Sequence, residues 1–489
     1  MPDRWQDVRK DPVLKNYVIF TMLIAICLAG CSGDPESNLP VTPQSVSDQY
    51  VDAEVAREAL NFVVRTVRSA HPDSSDGFST ATENALSVAN GALVQQMSEE
   101  DLYFVLNTWL ATLQDAHLRV TYRDNALIDH GCIDLAVSWR EEGIVVTGGS
   151  TALLPGDRIT RLGQHTESDL LEALGQVIPV ENPFRLKFLG AKRLTRGDYL
   201  RWLNVLDNGN VEVTVEAING DIRRDSLSIH KCPIADTEAE WVGFNIHEEA
   251  SLGIFWFDRF DYNQEMVDTM ELFFEQIDSR KIRKVAVDLR GKDGGDSTVA
   301  FAFLEHFSDI EYESFAVDIR VSEELNTMNP DFNPAVMSPF FVEAGMPAIA
   351  DDANHYVLPA AFVQLAIAGR MNLMSPGDMR KVSGKEIFML TDAGTYSSGN
   401  LFAMLLRDNE IGTLVGEPTG NKVYFNGSEL PVDIPDTNLV LNLSTMTMLR
   451  PNSSLGDEPA IRPDVAIITT RDDIAKGRDP QLEYLLKED

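Results

Sequence analysis

Histidine and cysteine are scarce in this chain, eight and four among 489 residues. No Cys/His cluster has metal-ligand spacing and no His-x-x-x-His pair occurs, so the sequence implies neither a metal nor an organic cofactor. Basic side chains are in deficit too: 41 face 76 acidic ones, for a net charge of −35. That balance repels phosphate backbones and excludes nucleic acid as a partner, while a negative surface favours solubility and cationic substrates. Internal repeats at solenoid periods and long low-complexity tracts are also missing.

Long apolar runs are absent but for residues 17–30, Tyr-Val-Ile-Phe-Thr-Met-Leu-Ile-Ala-Ile-Cys-Leu-Ala-Gly. The run is shorter than the ~20 residues a spanning helix needs. Arg9, Lys10 and Lys15 precede it, and it ends in Leu28-Ala29-Gly30-Cys31, which resembles a bacterial lipobox. The expectation is a signal peptide over 1–30, lipidation at Cys31, a polar tether over 31–45, and export to a membrane-anchored state in the periplasm or at the cell surface. Only Cys132 and Cys232 then remain to pair, and an exported protein could join them as a disulfide.

A length of 489 residues suggests two to four units. Apolar residues recur at helical spacing from Val46 to His71 and from Leu102 to Leu113, which predicts a helical unit over 46–125. Short strands and turns follow over 126–235, with a helix over Glu167–Val177. From 240 to 489, strands at Leu252–Phe257, Lys284–Leu289 and Glu386–Thr391 alternate with helices at Gln264–Ile277 and Thr298–Phe307. Such alternation predicts an α/β core, interrupted by an irregular insertion or lid over 323–379.

Three segments could carry chemistry. Ile387–Arg407 reads as a buried strand, a small-residue turn at Ser397 and an amphipathic helix; such a serine is either an ordinary helix cap or a nucleophile beside free N–H groups. The turn Asp288-Leu-Arg-Gly-Lys-Asp-Gly-Gly-Asp-Ser297 matches neither nucleotide-loop pattern, and its glycines suit an oxyanion site or a plain tight turn. His117, where a helix hands over to a strand, is a better-placed base than His71 beside a proline or His165 on a turn; Lys422 is a second base candidate.

Four segments in order, Leu113-Gln-Asp-Ala-His117, Leu154-Pro-Gly-Asp-Arg-Ile159, Asp288 to Gly295, and Tyr396-Ser-Ser-Gly-Asn400 running into Val415-Gly-Glu-Pro-Thr-Gly420, resemble the C-terminal-processing and tricorn-type serine peptidases. The resemblance implies a crotonase-like α/β catalytic core, a PDZ-like β-rich module and protein or peptide substrates. It implies Ser397 as nucleophile, with Ser398 as the fallback if the register slips by one. The N–H groups of Gly294, Gly295 and Ser398 match the oxyanion hole. One branch of the family pairs serine with lysine, here Lys422. The other uses histidine and an acid, here His117 with Glu458 or the adjacent Asp457, and this triad is the preferred reading. Lys292-Asp293 and Asn400 depart from the usual pattern. The rival from another class is a non-catalytic peptide- or ligand-binding lipoprotein on the same scaffold.

Overall fold

Strand and helix alternate in the second half because buried runs of about five residues separate longer amphipathic ones, and the parallel sheet this predicts is present. The computed structural model describes residues 50–94, 96–123, 130–149, 153–232, 240–374 and 379–487. The expected signal peptide, Cys31 and the tether lie outside them. Strands Leu252–Phe257, Lys284–Asp288, Glu386–Thr391 and Thr413–Gly416 run parallel as neighbours. Val242–His247 adds an antiparallel edge and Val465–Ala466 closes the other side. Val285, Ala286, Val287, Met389 and Leu390 are all buried, as strands covered on both faces must be.

The helix Ser398–Asp408 buries Leu401, Phe402, Met404, Leu405 and Leu406 in the main core. Each such side chain contributes about 1.5–3 kcal/mol, which makes this helix a firm support for whatever precedes it. Residues 323–374 are not irregular. They form helices Glu323–Met328, Pro334–Glu343 and Ala360–Met374 and the strand His355–Leu358. Phe332, Phe341, Tyr356 and Val363 enter the same core. The two longer helices, Pro334–Glu343 and Ala360–Met374, are apolar around much of the circumference, so no 3.6-residue stripe marks them in the sequence.

The N-terminal helices are Ala53–Ala70, Thr80–Ala92 and Glu99–Ala111. Ser98 caps the third: its backbone is extended (φ −73°, ψ 157°), its Oγ accepts the Asp101 N–H at 3.0 Å, and Asp101 reaches back to the Ser98 N–H. Strand Arg119–Tyr122 then pairs antiparallel with the long strand Leu439–Leu449, which ties the N-terminal helices to the end of the chain. Between them, a β-rich module has the strand order Cys132–Ile133, Ile222–His230, Asn210–Glu216, Arg158–Leu162, Gly143–Gly149, Leu135–Arg140. Leu154-Pro-Gly-Asp157 is a turn closed by the Leu154 N–H donating to Asp157 Oδ2 at 2.8 Å. The Cys132–Cys232 disulfide is formed, with Cα atoms 5.0 Å apart. Helices Glu167–Val177 and Pro183–Arg193 complete the module; Leu60, Trp109, Trp139, Leu174, Val213 and Leu441 belong to one hydrophobic cluster shared with the N-terminal helices.

Candidate active site

Ser397 lies past the carboxyl end of strand Glu386–Thr391, and the glycine turn lies past the carboxyl end of its parallel neighbour Lys284–Asp288. Open α/β sheets bind ligands at such ends. Ser397 holds the N-cap position of its helix, yet its hydroxyl makes no capping bond. Its backbone sits at φ 54° and ψ −118°, a region that costs a non-glycine residue about 1–3 kcal/mol. Three bonds hold it there. The Ser397 N–H donates to Asn421 Oδ1 at 2.6 Å, its carbonyl accepts the Leu401 N–H at 2.9 Å, and Gly399 N–H bonds the Tyr396 carbonyl at 2.9 Å. Core burial along the helix outweighs the strain.

The glycine turn presses against this elbow. A Cβ on Gly294 (φ +97°) would lie 2.6 Å from Ser397 Cβ and 3.0 Å from the Ser398 N, so only glycine allows the approach. Asp392 joins the two loops by accepting the N–H groups of Gly291 and Gly394, each at 2.8 Å. The Ser398 N–H begins the helix and is among the donors a helix cannot satisfy internally. Ser398 itself is buried and spends its hydroxyl on the Gly295 carbonyl, which leaves Ser397 as the serine open to the cleft.

His117 is buried beside this pair, stacked on Tyr396 and Phe425 with ring centroids 4.6 and 5.7 Å away. Nδ1 is 2.7 Å from the Tyr396 hydroxyl, and Nε2 has no hydrogen-bond partner among the described residues. Burial lowers the imidazole pKa despite the Glu429 and Asp115 charges, so the ring is neutral at pH 7. Burial raises the Tyr396 phenol well above 10. Asp115 lies below the ring: Oδ1 accepts the His117 backbone N–H at 2.8 Å and stands 3.9 Å from Nδ1, while Oδ2 takes His71 Nε2 at 2.9 Å and Ser444 Oγ at 2.7 Å. Burial pushes Asp115 up, but the His71 bond and the His71 and His117 charges outweigh it and hold the carboxyl at about 2.

Glu181 completes the cluster by accepting Asn421 Nδ2 at 2.8 Å and the Ala116 N–H at 3.3 Å. Burial, then the Asp115 charge, raises it to about 8. Asp115, His117 and Glu181 offer ligand atoms within 4.8 Å of one another. The bonds just given account for both carboxylates without a metal.

The other expected residues stand elsewhere. Glu458 does not meet His117: Arg407 and Arg450 hold its carboxylate, with contacts of 3.2 Å each. Two guanidiniums satisfy it better than a buried imidazole could. Asp457 is exposed. Lys422 is half-buried, its carbonyl accepting Asn400 Nδ2 at 3.2 Å, and among the described residues no hydrogen bond joins it to Ser397. Its neighbour Asn421 makes that contact. Sequence reasoning missed Asn421, Asp115, Tyr396, Glu181 and Arg185. Asp115 and Tyr396 sit inside the quoted motifs and Asn421 directly follows one, so all three could have been read as supports; the last two carry no local signal.

Ser397, His117, Gly294 and Gly295 line a cleft of about 660 Å³. Tyr103 and Asn107 of the N-terminal helices and Arg185, Leu189 and Arg193 of the β-rich module line it as well. A larger apolar groove of about 780 Å³ between Thr80–Ala92 and Glu99–Ala111 shares no residue with it. Among the described residues no helix is long and apolar enough to cross a membrane.

The chain resembles solved structures over nearly its whole length. A CPAF serine-to-alanine mutant is 15% identical with TM-score 0.61, covering 88% of this chain and 96% of that one. Mature CPAF complexed with lactacystin is also 15% identical, with TM-score 0.59 and coverage of 88% and 97%. At that identity the likeness establishes the fold. No curated protein matches. The sequence profile described as Peptidase family S41 matches residues 252–467, which hold both the glycine turn and Ser397; this part of the chain is similar to that family, and the protein is a serine-type peptidase.

Proposed function

We propose that the chain is an extracytoplasmic serine endopeptidase acting through an acyl-enzyme on Ser397, with His117 as general base. One observation carries the reading: Ser397 does not cap its helix but is held in a costly backbone conformation against Gly294. Strain of this kind persists where geometry is being used. With His117 Nδ1–H donating to the Tyr396 hydroxyl, the lone pair lies on Nε2, the nitrogen with no partner among the described residues. Nε2 takes the Ser397 proton as Oγ attacks the substrate carbonyl; the N–H groups of Gly294, Gly295 and Ser398 receive the oxyanion; water then releases the acyl group. Asp115, in place of Glu458, supplies the charge that stabilises the imidazolium.

In this reading residues 240–489 are a crotonase-like core and the β-rich module is PDZ-like, capturing a substrate tail by strand addition. Export and a lipid anchor at Cys31 belong to the same reading, and the Cys132–Cys232 disulfide supports an oxidising compartment. The Ser-Lys alternative is tested by comparing His117→Ala with Lys422→Ala on a fluorogenic peptide substrate. The triad reading expects the histidine change to abolish turnover and the lysine change to leave most of it. Loss confined to Lys422→Ala would assign the base to lysine.

A further inference from the structure

Charge around the cleft is matched in pairs, with one remainder. Arg119 is bound to Glu429, and Arg185 Nη1 lies 2.9 Å from Asp293 Oδ1. Arg193 has no such partner: its Nε is buried without a hydrogen bond, and among the described residues no carboxylate pairs with its guanidinium. Asp198, which feels its charge, is taken by Arg196 through both oxygens. Its Cζ stands 5.6 Å from the centre of the Tyr199 ring. In a chain with 76 acidic side chains, an arginine lining the catalytic cleft without a carboxylate is a site left open for one.

Its place on the wall gives the register. Arg185, Leu189 and Arg193 fall four residues apart along the helix Pro183–Arg193 and form one stripe facing the cleft. Arg185 stacks on Tyr396 at 3.9 Å, beside the nucleophile, and Arg193 lies two turns further on, about 12 Å along the axis. An extended peptide covers that span in three to four residues at roughly 3.3 Å each. We propose that Arg193 forms a specificity subsite for a substrate carboxylate, an acidic side chain three to four residues from the scissile bond. The inference rests on the peptidase reading of the same cleft.

Its test is kept apart from catalysis by measuring binding to the Ser397→Ala protein, full-length, by fluorescence anisotropy. Labelled peptides carry Glu, Gln or Lys at successive positions, each with a free or an amidated C-terminus. The expected result is Glu binding on the order of tenfold tighter than Gln at one position, with Lys weakest. Arg193→Gln should bring the Glu/Gln ratio to about one, Arg193→Glu should invert it in favour of Lys, and Arg193→Lys should keep part of it. A preference that tracks only the free C-terminus and is lost on amidation would replace the side chain by the chain terminus and overturn the proposal. Equal binding of Glu and Gln, or a preference that survives Arg193→Gln, would overturn it too. If the acidic preference holds in Ser397→Ala while the wild type cleaves no peptide, the subsite stands and the catalytic reading falls.

Discussion

Helices Glu99–Ala111 and Ser398–Asp408 each begin at a serine that follows a strand, and these two serines do opposite things. At Ser98 the backbone is extended and the hydroxyl caps the helix, closing a reciprocal box with Asp101. At Ser397 the backbone turns to positive φ, the hydroxyl caps nothing, and the cost is met by core packing behind it and an asparagine amide in front. Local sequence separates them only in part: an acid, Asp101, stands three residues after Ser98, whereas Asn400 holds that place after Ser397. What separates them is contact from far along the chain: Gly294 against the Cβ, Asn421 on the N–H, His117 in the same cleft.

The comparison can be broken in order of effect. Ser397→Ala should lower peptide turnover by about 10⁶-fold with little change in melting temperature. Gly294→Ala places a methyl group against Ser397 and the Ser398 N–H; a loss of about 10²–10³-fold in kcat is expected, and near-normal kcat would remove this turn from the oxyanion site. Asn421→Ala frees the Ser397 N–H and should cost about 10²-fold in kcat with a small change in stability, measured by denaturant titration alongside kinetics.

Two pH effects follow from the buried groups. Because burial lowers the His117 pKa, the acid limb of kcat/KM should fall below the ordinary histidine value of 6.5. Glu181 has a folded value of about 8 against 4.5 unfolded, so the folded chain binds the extra proton and stability falls as pH rises between them. Glu181→Gln should flatten that decline in a series of melting curves; an unchanged slope would take Glu181 out of the account. The smallest effect is at the other serine. Ser98→Ala should cost about 1 kcal/mol of stability and leave turnover intact.

Much of this was legible beforehand where periodicity is strong. Strands Leu252–Phe257 and Glu386–Thr391 and helix Glu167–Val177 fall where their patterns place them. Helices Pro334–Glu343 and Ala360–Met374 were not, because helices apolar all round show no stripe. The site divides similarly. Ser397, His117 and the glycines announce themselves through turns and motifs, whereas the Tyr396 hydroxyl reaches His117 only in the fold, from 279 positions along the chain. Glu458 looked available in a polar loop; folding brings it two arginines from separate elements.

The most direct measurement is mass spectrometry of the protein after reaction with a fluorophosphonate. If Ser397 is an activated nucleophile, one adduct is expected, on the peptide containing Ser397, absent from Ser397→Ala and still formed in Ser98→Ala. A folded wild-type protein without an adduct, or an adduct that persists in Ser397→Ala, would contradict it.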